Sequence, residues 1–145
     1  MSAPTVRQPA GASARPLITA LASALGYGLW ATACNWPHGG TPAIRAGLTQ
    51  GCLSFAATLS MVLLLERLFR LGRTPLQGFF AASLGTTLIG ASAMWGVHAL
   101  TGTPNILATV APSVSIGTIF FVSYAWGLFV SARREAAPRP DRRAA

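Results

Sequence analysis

Four long apolar stretches occupy about two thirds of this chain, and none has an Asp, Glu, Lys or Arg in its interior. An α-helix needs about 20 mostly apolar residues to cross about 30 Å of hydrocarbon. Each stretch is close to that length or exceeds it. The sequence therefore predicts an all-α integral membrane protein with four spans, at residues 17–36, 46–65, 78–100 and 105–131.

The connections between these stretches are short. Residues 37–45, 66–77 and 101–104 join consecutive spans, and short connections make sequential helices run antiparallel. We therefore predict one transmembrane domain, residues 16–131, folded as a four-helix antiparallel bundle. The flanking segments are rich in Ala, Pro and Arg, and this composition predicts disordered basic tails at 1–15 and 132–145.

Arginine placement predicts the orientation of this bundle. All 11 basic residues are arginines, and only Arg45 lies outside the tails and the connection between spans two and three. Positive residues concentrate in cytoplasmic segments, so both termini are predicted to be cytoplasmic. The use of Ala, Gly and Arg without Lys suggests a GC-rich genome, and we expect a bacterial inner (plasma) membrane.

A basic cluster is predicted at the cytoplasmic face. Arginines near that surface are attracted to the anionic inner leaflet of the bilayer, which is the first expected partner. The arginines lie outside the spans rather than along one stripe, so we expect no nucleic-acid partner. The cluster consists of Arg67, Arg70, Arg73, Arg133 and Arg134. Glu66, beside it, is predicted to form an ion pair with Arg70 one helical turn away.

Polar side chains at the opposite ends of the spans form a candidate binding site. Polar residues at membrane depth are rare and are often functional. Arg45 would supply charge for an anionic headgroup or small solute, and the amides and imidazoles would supply hydrogen bonds. The alternative is a set of interfacial residues bonded to loop backbone and water. This outer polar cluster comprises Asn35, His38, Arg45, Gln50, His98 and Asn105.

Proline marks both helix starts and a helix interior. Thr41-Pro42, Thr74-Pro75 and Thr103-Pro104 each precede a span, where Thr caps the first turn and Pro fits the first helical position. Pro112 lies inside span four and predicts a kink, because it has no N–H for the helix ladder. Alternatively, the fourth span begins at Pro112.

Small residues predict close helix packing. Ala20, Ala24, Gly28 and Thr32 share one face of span one, and similar stripes follow Ser83 in span three and Ser123 in span four. Gly47 and Gly51 have the small-xxx-small spacing that lets helices approach closely. Cys34 and Cys52 are expected to be thiols packed between helices, with a disulfide as the alternative. Trp30, Trp36 and Trp95 are placed at the outer interface.

The chemistry of the chain argues against several function classes. Paired carboxylates, a Ser-His-Asp set and a nucleotide-binding loop are all missing from the sequence. We therefore predict no enzyme and no cofactor. Two histidines and two cysteines do not match the spacing of a metal site, so no metal is expected. No acid lies inside a span, which argues against a proton-driven antiporter.

Two functions remain. We expect a non-enzymatic accessory or scaffold subunit, of an envelope or lipid-linked pathway, that binds a membrane-protein partner or another copy of itself. The alternative is a small transporter or channel with an outward-facing polar site. A continuous polar path through the spans would favour transport, and the inner halves of the spans offer only scattered Ser, Thr and Gly.

Overall fold

Four long α-helices make up nearly all of the chain that the computed structural model describes, residues 14–136. A short 3-10 helix, Trp36–His38, follows the first. All four helices are long and apolar enough to span a membrane, and residues 14–136 contain no strand. The all-α prediction with four long apolar helices is confirmed. The helices are α1 (Ala14–Asn35), α2 (Gly40–Leu71), α3 (Pro75–Leu100) and α4 (Ile106–Ala136).

The helices extend beyond the predicted spans. α2 takes in parts of both predicted connections, since it begins at Gly40 and ends at Leu71. Residues 14–15 and 132–136, predicted as tail, are helical. The rest of the predicted tails, 1–13 and 137–145, lies outside the described residues, and the disorder there stays a prediction.

The Thr-Pro prediction is correct at one helix start and wrong at two. Thr74 Oγ1 accepts a hydrogen bond from the Gln77 N–H at 3.2 Å, which caps α3. α2 already begins at Gly40, so Thr41 lies inside the helix. α4 is capped by Asn105, whose side-chain oxygen accepts from the Ala108 N–H at 3.3 Å. A Thr-Pro pair therefore indicates a nearby helix start without fixing the capping residue.

The chain divides into two compact units, Met1–Ser60 with Met94–Val110, and Met61–Ala93 with Ala111–Ala145. In the first unit, the α1 stripe packs on the Gly47 and Gly51 face of α2. A Cβ added to Gly28 would lie 3.0 Å from the Gly47 carbonyl oxygen, and one added to Gly51 would lie 3.1 Å from that of Ala24. Residue numbers rise along α1 as they fall along α2, so these helices are antiparallel.

In the second unit, an apolar core lies between segments of α2, α3 and α4. Leu65, Ala82 and Ala125 are fully buried there. Packed around them are Leu68, Phe69, Phe79, Phe121, Tyr124 and Leu128. Glycine again allows close packing, because a Cβ on Gly78 would lie 2.6 Å from the Phe69 carbonyl oxygen.

The two cysteines are free thiols. Cys34 is half-buried and Cys52 is exposed, so only Cys34 has the packed environment expected from the sequence. The predicted α4 stripe that begins at Ser123 is also exposed. Pro112 lies inside α4, which is helical on both sides of it. The helix therefore does not begin at Pro112, the alternative that the sequence left open.

Candidate functional site

The outer polar cluster lies entirely in the first unit, and half of it is buried. Asn35, Gln50 and His98 have no exposed surface, whereas His38, Arg45 and Asn105 are exposed. Burial at this level requires hydrogen-bond partners, because an unpaired buried polar group costs about 1–3 kcal/mol. The partners form two separate networks.

The first network is centred on His98 in α3. Its Nε2 lies 2.7 Å from Gln50 Oε1 in α2, and its Nδ1 lies 2.8 Å from Thr103 Oγ1. The Gln50 amide nitrogen donates to Ser54 Oγ at 3.3 Å, so the amide oxygen faces His98 as an acceptor. The geometry fits a neutral imidazole with its proton on Nε2 and Nδ1 accepting from the Thr103 hydroxyl.

The second network joins the end of α1 to the start of α4. The Asn35 amide nitrogen donates to the Ala31 carbonyl and to Thr109 Oγ1, each at 2.8 Å. Its oxygen accepts from the Asn105 N–H at 2.9 Å. Thr109 Oγ1 donates in turn to the Asn105 carbonyl at 2.6 Å. Asn35 thus uses both N–H groups and its oxygen to hold the capped start of α4.

A third interaction accompanies the proline of α4. Pro112 has no N–H, so the carbonyl of Ala108, four residues earlier, receives no bond from it. The indole Nε1–H of Trp30 in α1 donates to that carbonyl at 2.9 Å, and Cys34 Sγ lies 4.0 Å from the same oxygen. A side chain from a neighbouring helix therefore supplies the missing donor.

Two exposed residues of the cluster, Arg45 and His38, differ in their hydrogen bonding. Arg45 Nη2 donates to the Gly102 carbonyl at 3.1 Å, and Gly102 has a φ of 65°, a left-handed conformation that suits glycine. His38 is exposed in the 3-10 helix and makes no side-chain hydrogen bond within residues 14–136. The structure therefore joins Asn35 to Asn105 and Gln50 to His98, and leaves His38 apart.

The predicted basic cluster lies in the second unit, at the ends of α2 and α4 and in the turn before α3. All five of its arginines are exposed. Arg70 Nη2 and Glu66 Oε2 are 3.2 Å apart, so the predicted ion pair is confirmed. Glu66 also accepts a hydrogen bond from the Tyr124 hydroxyl at 2.9 Å. The Arg133 guanidinium lies 5.6 Å from the centre of the Phe129 ring.

Sequence reasoning missed the roles of five side chains in these interactions: Trp30, Ser54, Thr103, Thr109 and Tyr124. The sequence indicated Trp30 only as an interfacial aromatic residue and Thr103 only as a cap. The rule that buried polar groups pair identifies His98 as a residue that needs a partner, but it does not say which hydroxyl is near.

The described residues hold hydrogen-bonding groups suited to joining helices. Residues 14–136 contain no group of three or more His, Cys, Asp or Glu side chains that could hold a metal. No protein-family model, curated protein sequence or solved structure matches the chain. Function must therefore be argued from the four apolar helices and their polar networks.

Proposed function

We propose that the chain is a multi-pass protein of a bacterial inner membrane and a non-enzymatic accessory or scaffold subunit, of an envelope or lipid-linked pathway. Its four helices would cross the bilayer as one antiparallel bundle with both termini in the cytoplasm. Helix length and apolarity support insertion. The position of ten arginines on one side, with Arg45 on the other, supports this orientation.

The observation that carries this proposal is how the buried polar groups of the outer cluster are used. The amide nitrogen and oxygen of Asn35 and both ring nitrogens of His98 are hydrogen-bonded to other residues of the same chain. A site for a solute would instead present donors and acceptors toward a cavity. These hydrogen bonds hold helices of the chain against one another, and a rigid scaffold needs such bonds.

The exposed face of α4 supports a membrane-protein partner. Ser123, Gly127 and Ser131 are exposed at four-residue intervals, and no atom lies within 4 Å of a Cβ placed on Gly127. Small residues at this spacing let another helix approach closely in lipid. A partner subunit or a second copy of the chain would pack there.

A small transporter or channel is the second candidate, and one observation favours it. Thr86 Oγ1 in α3 is buried and has no hydrogen-bond partner among the described residues. A hydroxyl of this kind is suited to a transient polar ligand. Thr86 is a single hydroxyl, and α3 carries no ionisable side chain between Pro75 and Val97. The transporter therefore remains the second candidate.

Affinity purification of the tagged full chain in mild detergent distinguishes a scaffold subunit from a transporter. Mass spectrometry would identify bound proteins, and an accessory subunit would retain one membrane protein in stoichiometric amount. Gly127→Leu should release that partner, whereas Gly26→Leu, which also enters open space, should not. A partner-free oligomer that supports solute flux in liposomes would instead establish the transporter.

Orientation is tested separately, by labelling single cysteines in a Cys34→Ser, Cys52→Ser background. An impermeant maleimide added to intact cells should label His38→Cys, in the exposed link between α1 and α2. It should label Arg73→Cys only after the inner membrane is opened. The reverse pattern would contradict the proposed orientation.

A further inference from the structure

Five exposed arginines gather at one end of the second unit. Phe79, near the start of α3, lies 6.2 Å from Phe129 of α4 between ring centres, and the Arg133 guanidinium lies over the same Phe129 ring. Gly78 packs against the carbonyl of Phe69 in α2. The end of α2, the start of α3 and the end of α4 are therefore neighbours, and so are the arginines that they carry.

The charge of this end is mostly uncompensated within the described residues. Only Glu66 and Glu135 are acidic there, and the pair between Glu66 and Arg70 is the one ion pair in residues 14–136. Arginines at the last turns of α2 and α4 offset the negative ends of those helix dipoles. That explanation does not extend to Arg73.

Arg73 lies immediately before the cap of α3, at the positive end of that helix dipole. No acidic residue occupies the first turn of α3. The Arg73 backbone N–H donates to Gln77 Oε1 at 3.1 Å, which fixes the turn and leaves the guanidinium exposed. Two positive charges, one of a side chain and one of a helix end, thus meet without an anion from the described chain.

Apolar side chains surround this positive end. Leu71, which precedes Arg73, is 75% exposed. Leu76 and Phe80, near the start of α3, are 54% and 50% exposed. A free anion offers nothing to cover these side chains. A phospholipid offers both a charged headgroup and an acyl chain.

We propose that the basic cluster is a binding site for the phosphate headgroup of an anionic phospholipid. The cluster consists of Arg67, Arg70, Arg73, Arg133 and Arg134. Arg73 and the start of α3 hold the phosphate, and the acyl chains lie against Leu76 and Phe80. This inference rests on the membrane insertion proposed above. It adds a site selective for one class of lipid, which insertion alone does not require.

Native mass spectrometry of the purified full chain tests the site. The chain is offered equimolar phosphatidylglycerol and phosphatidylcholine with identical acyl chains. We expect preferential retention of phosphatidylglycerol. Arg73→Gln should lower that retention about five-fold, the effect of one arginine near an anionic surface, and Arg73→Lys should restore most of it. Arg15→Gln removes an exposed arginine of the first unit and should leave retention unchanged.

Three outcomes would overturn the site: equal retention of the two lipids, an equal fall in Arg15→Gln, or displacement of the lipid by excess inorganic phosphate. If Arg73→Gln does not fold, Arg134→Gln provides the same measurement from α4. Recovery of the chain in the membrane fraction is checked first, so that a failure of insertion is separated from a failure of lipid selection. No partner protein is needed, so the scaffold function is tested independently.

Discussion

The indole N–H of Trp30 lies 2.9 Å from the carbonyl oxygen of Ala108, the carbonyl that Pro112 leaves without its usual helical donor. The donor comes from α1 and the acceptor from α4, which are separated by 78 positions in the sequence. A local defect in one helix is thereby converted into a specific contact with another. Proline at position 112 therefore favours the register of α1 against α4 in which Trp30 reaches this carbonyl.

Replacing Trp30 with Phe should destabilise the fold by about 1 kcal/mol, the net value of one hydrogen bond. Thermal unfolding in detergent measures the change. Trp95→Phe is the matched control, because Trp95 is 49% exposed against 48% for Trp30 and makes no hydrogen bond within residues 14–136. In a Pro112→Ala background, α4 supplies its own donor and the cost of Trp30→Phe should disappear. An undiminished cost would contradict this account.

Gly47→Ala should destabilise the packing of α1 on α2 by about 1–3 kcal/mol, the usual cost of overpacking. The added Cβ would overlap Thr32 Oγ1 and lie 2.9 Å from the Gly28 carbonyl oxygen. Unfolding by SDS titration measures the loss. Gly26→Ala, where a Cβ meets nothing within 4 Å, should instead stabilise the helix by about 0.5–1 kcal/mol. Equal stability of the two variants would refute the close approach.

The contact between His98 and Gln50 should appear as coupling in a double-mutant cycle. His98→Leu and Gln50→Leu each remove one side of the bond between these two buried side chains, at a cost of about 1–3 kcal/mol. The double variant should lose less than both single losses together, by about 0.6 kcal/mol and at most about 1.7, as for other hydrogen bonds in membranes. Additive losses in thermal unfolding would mean that the two side chains do not interact.

Tyr124→Phe should lower stability by about 1 kcal/mol, because it removes the hydroxyl that donates to Glu66 Oε1 at 2.9 Å. Arg70→Gln should cost less, about 0.3–0.5 kcal/mol, since its pair with Glu66 is an exposed one on the helix surface. Tyr27→Phe serves as the control, because the Tyr27 hydroxyl makes no hydrogen bond within the described residues. A larger loss for Arg70→Gln than for Tyr124→Phe would reverse this ranking.

Features that depend on neighbouring residues in sequence were predictable, and features that depend on distant ones were not. Four apolar runs predicted four helices, and the spacing of Glu66 and Arg70 predicted their ion pair. The capping rules made Thr103 the cap of α4, whereas the structure caps it with Asn105, which Asn35 holds from 70 positions away. The Asn105 cap is accompanied by a bond to Asn35, and a single sequence does not reveal a bond between residues so far apart.

The candidate site shows the same limit. The sequence identified Asn35, Gln50, His98 and Asn105 as polar residues near one end of the spans, and it left their convergence open. Their use of Thr103 and Thr109 as partners depends on helix rotation, which a uniformly apolar helix does not reveal. α3 illustrates the difficulty, since its apolar residues lie on every side and so do not mark the face that carries His98 inward.

The backbone contact of α1 with α2 has a consequence for the order of assembly. Gly28, Gly47 and Gly51 belong to α1 and α2, which leave the ribosome before α3 and α4, and their contact requires nothing from those later helices. The bond between Asn35 and Thr109 spans 74 positions and forms only after the start of α4 has been synthesised. We therefore expect the hairpin of α1 and α2 to form before α4 is available, and the polar start of α4 to pack against it afterwards.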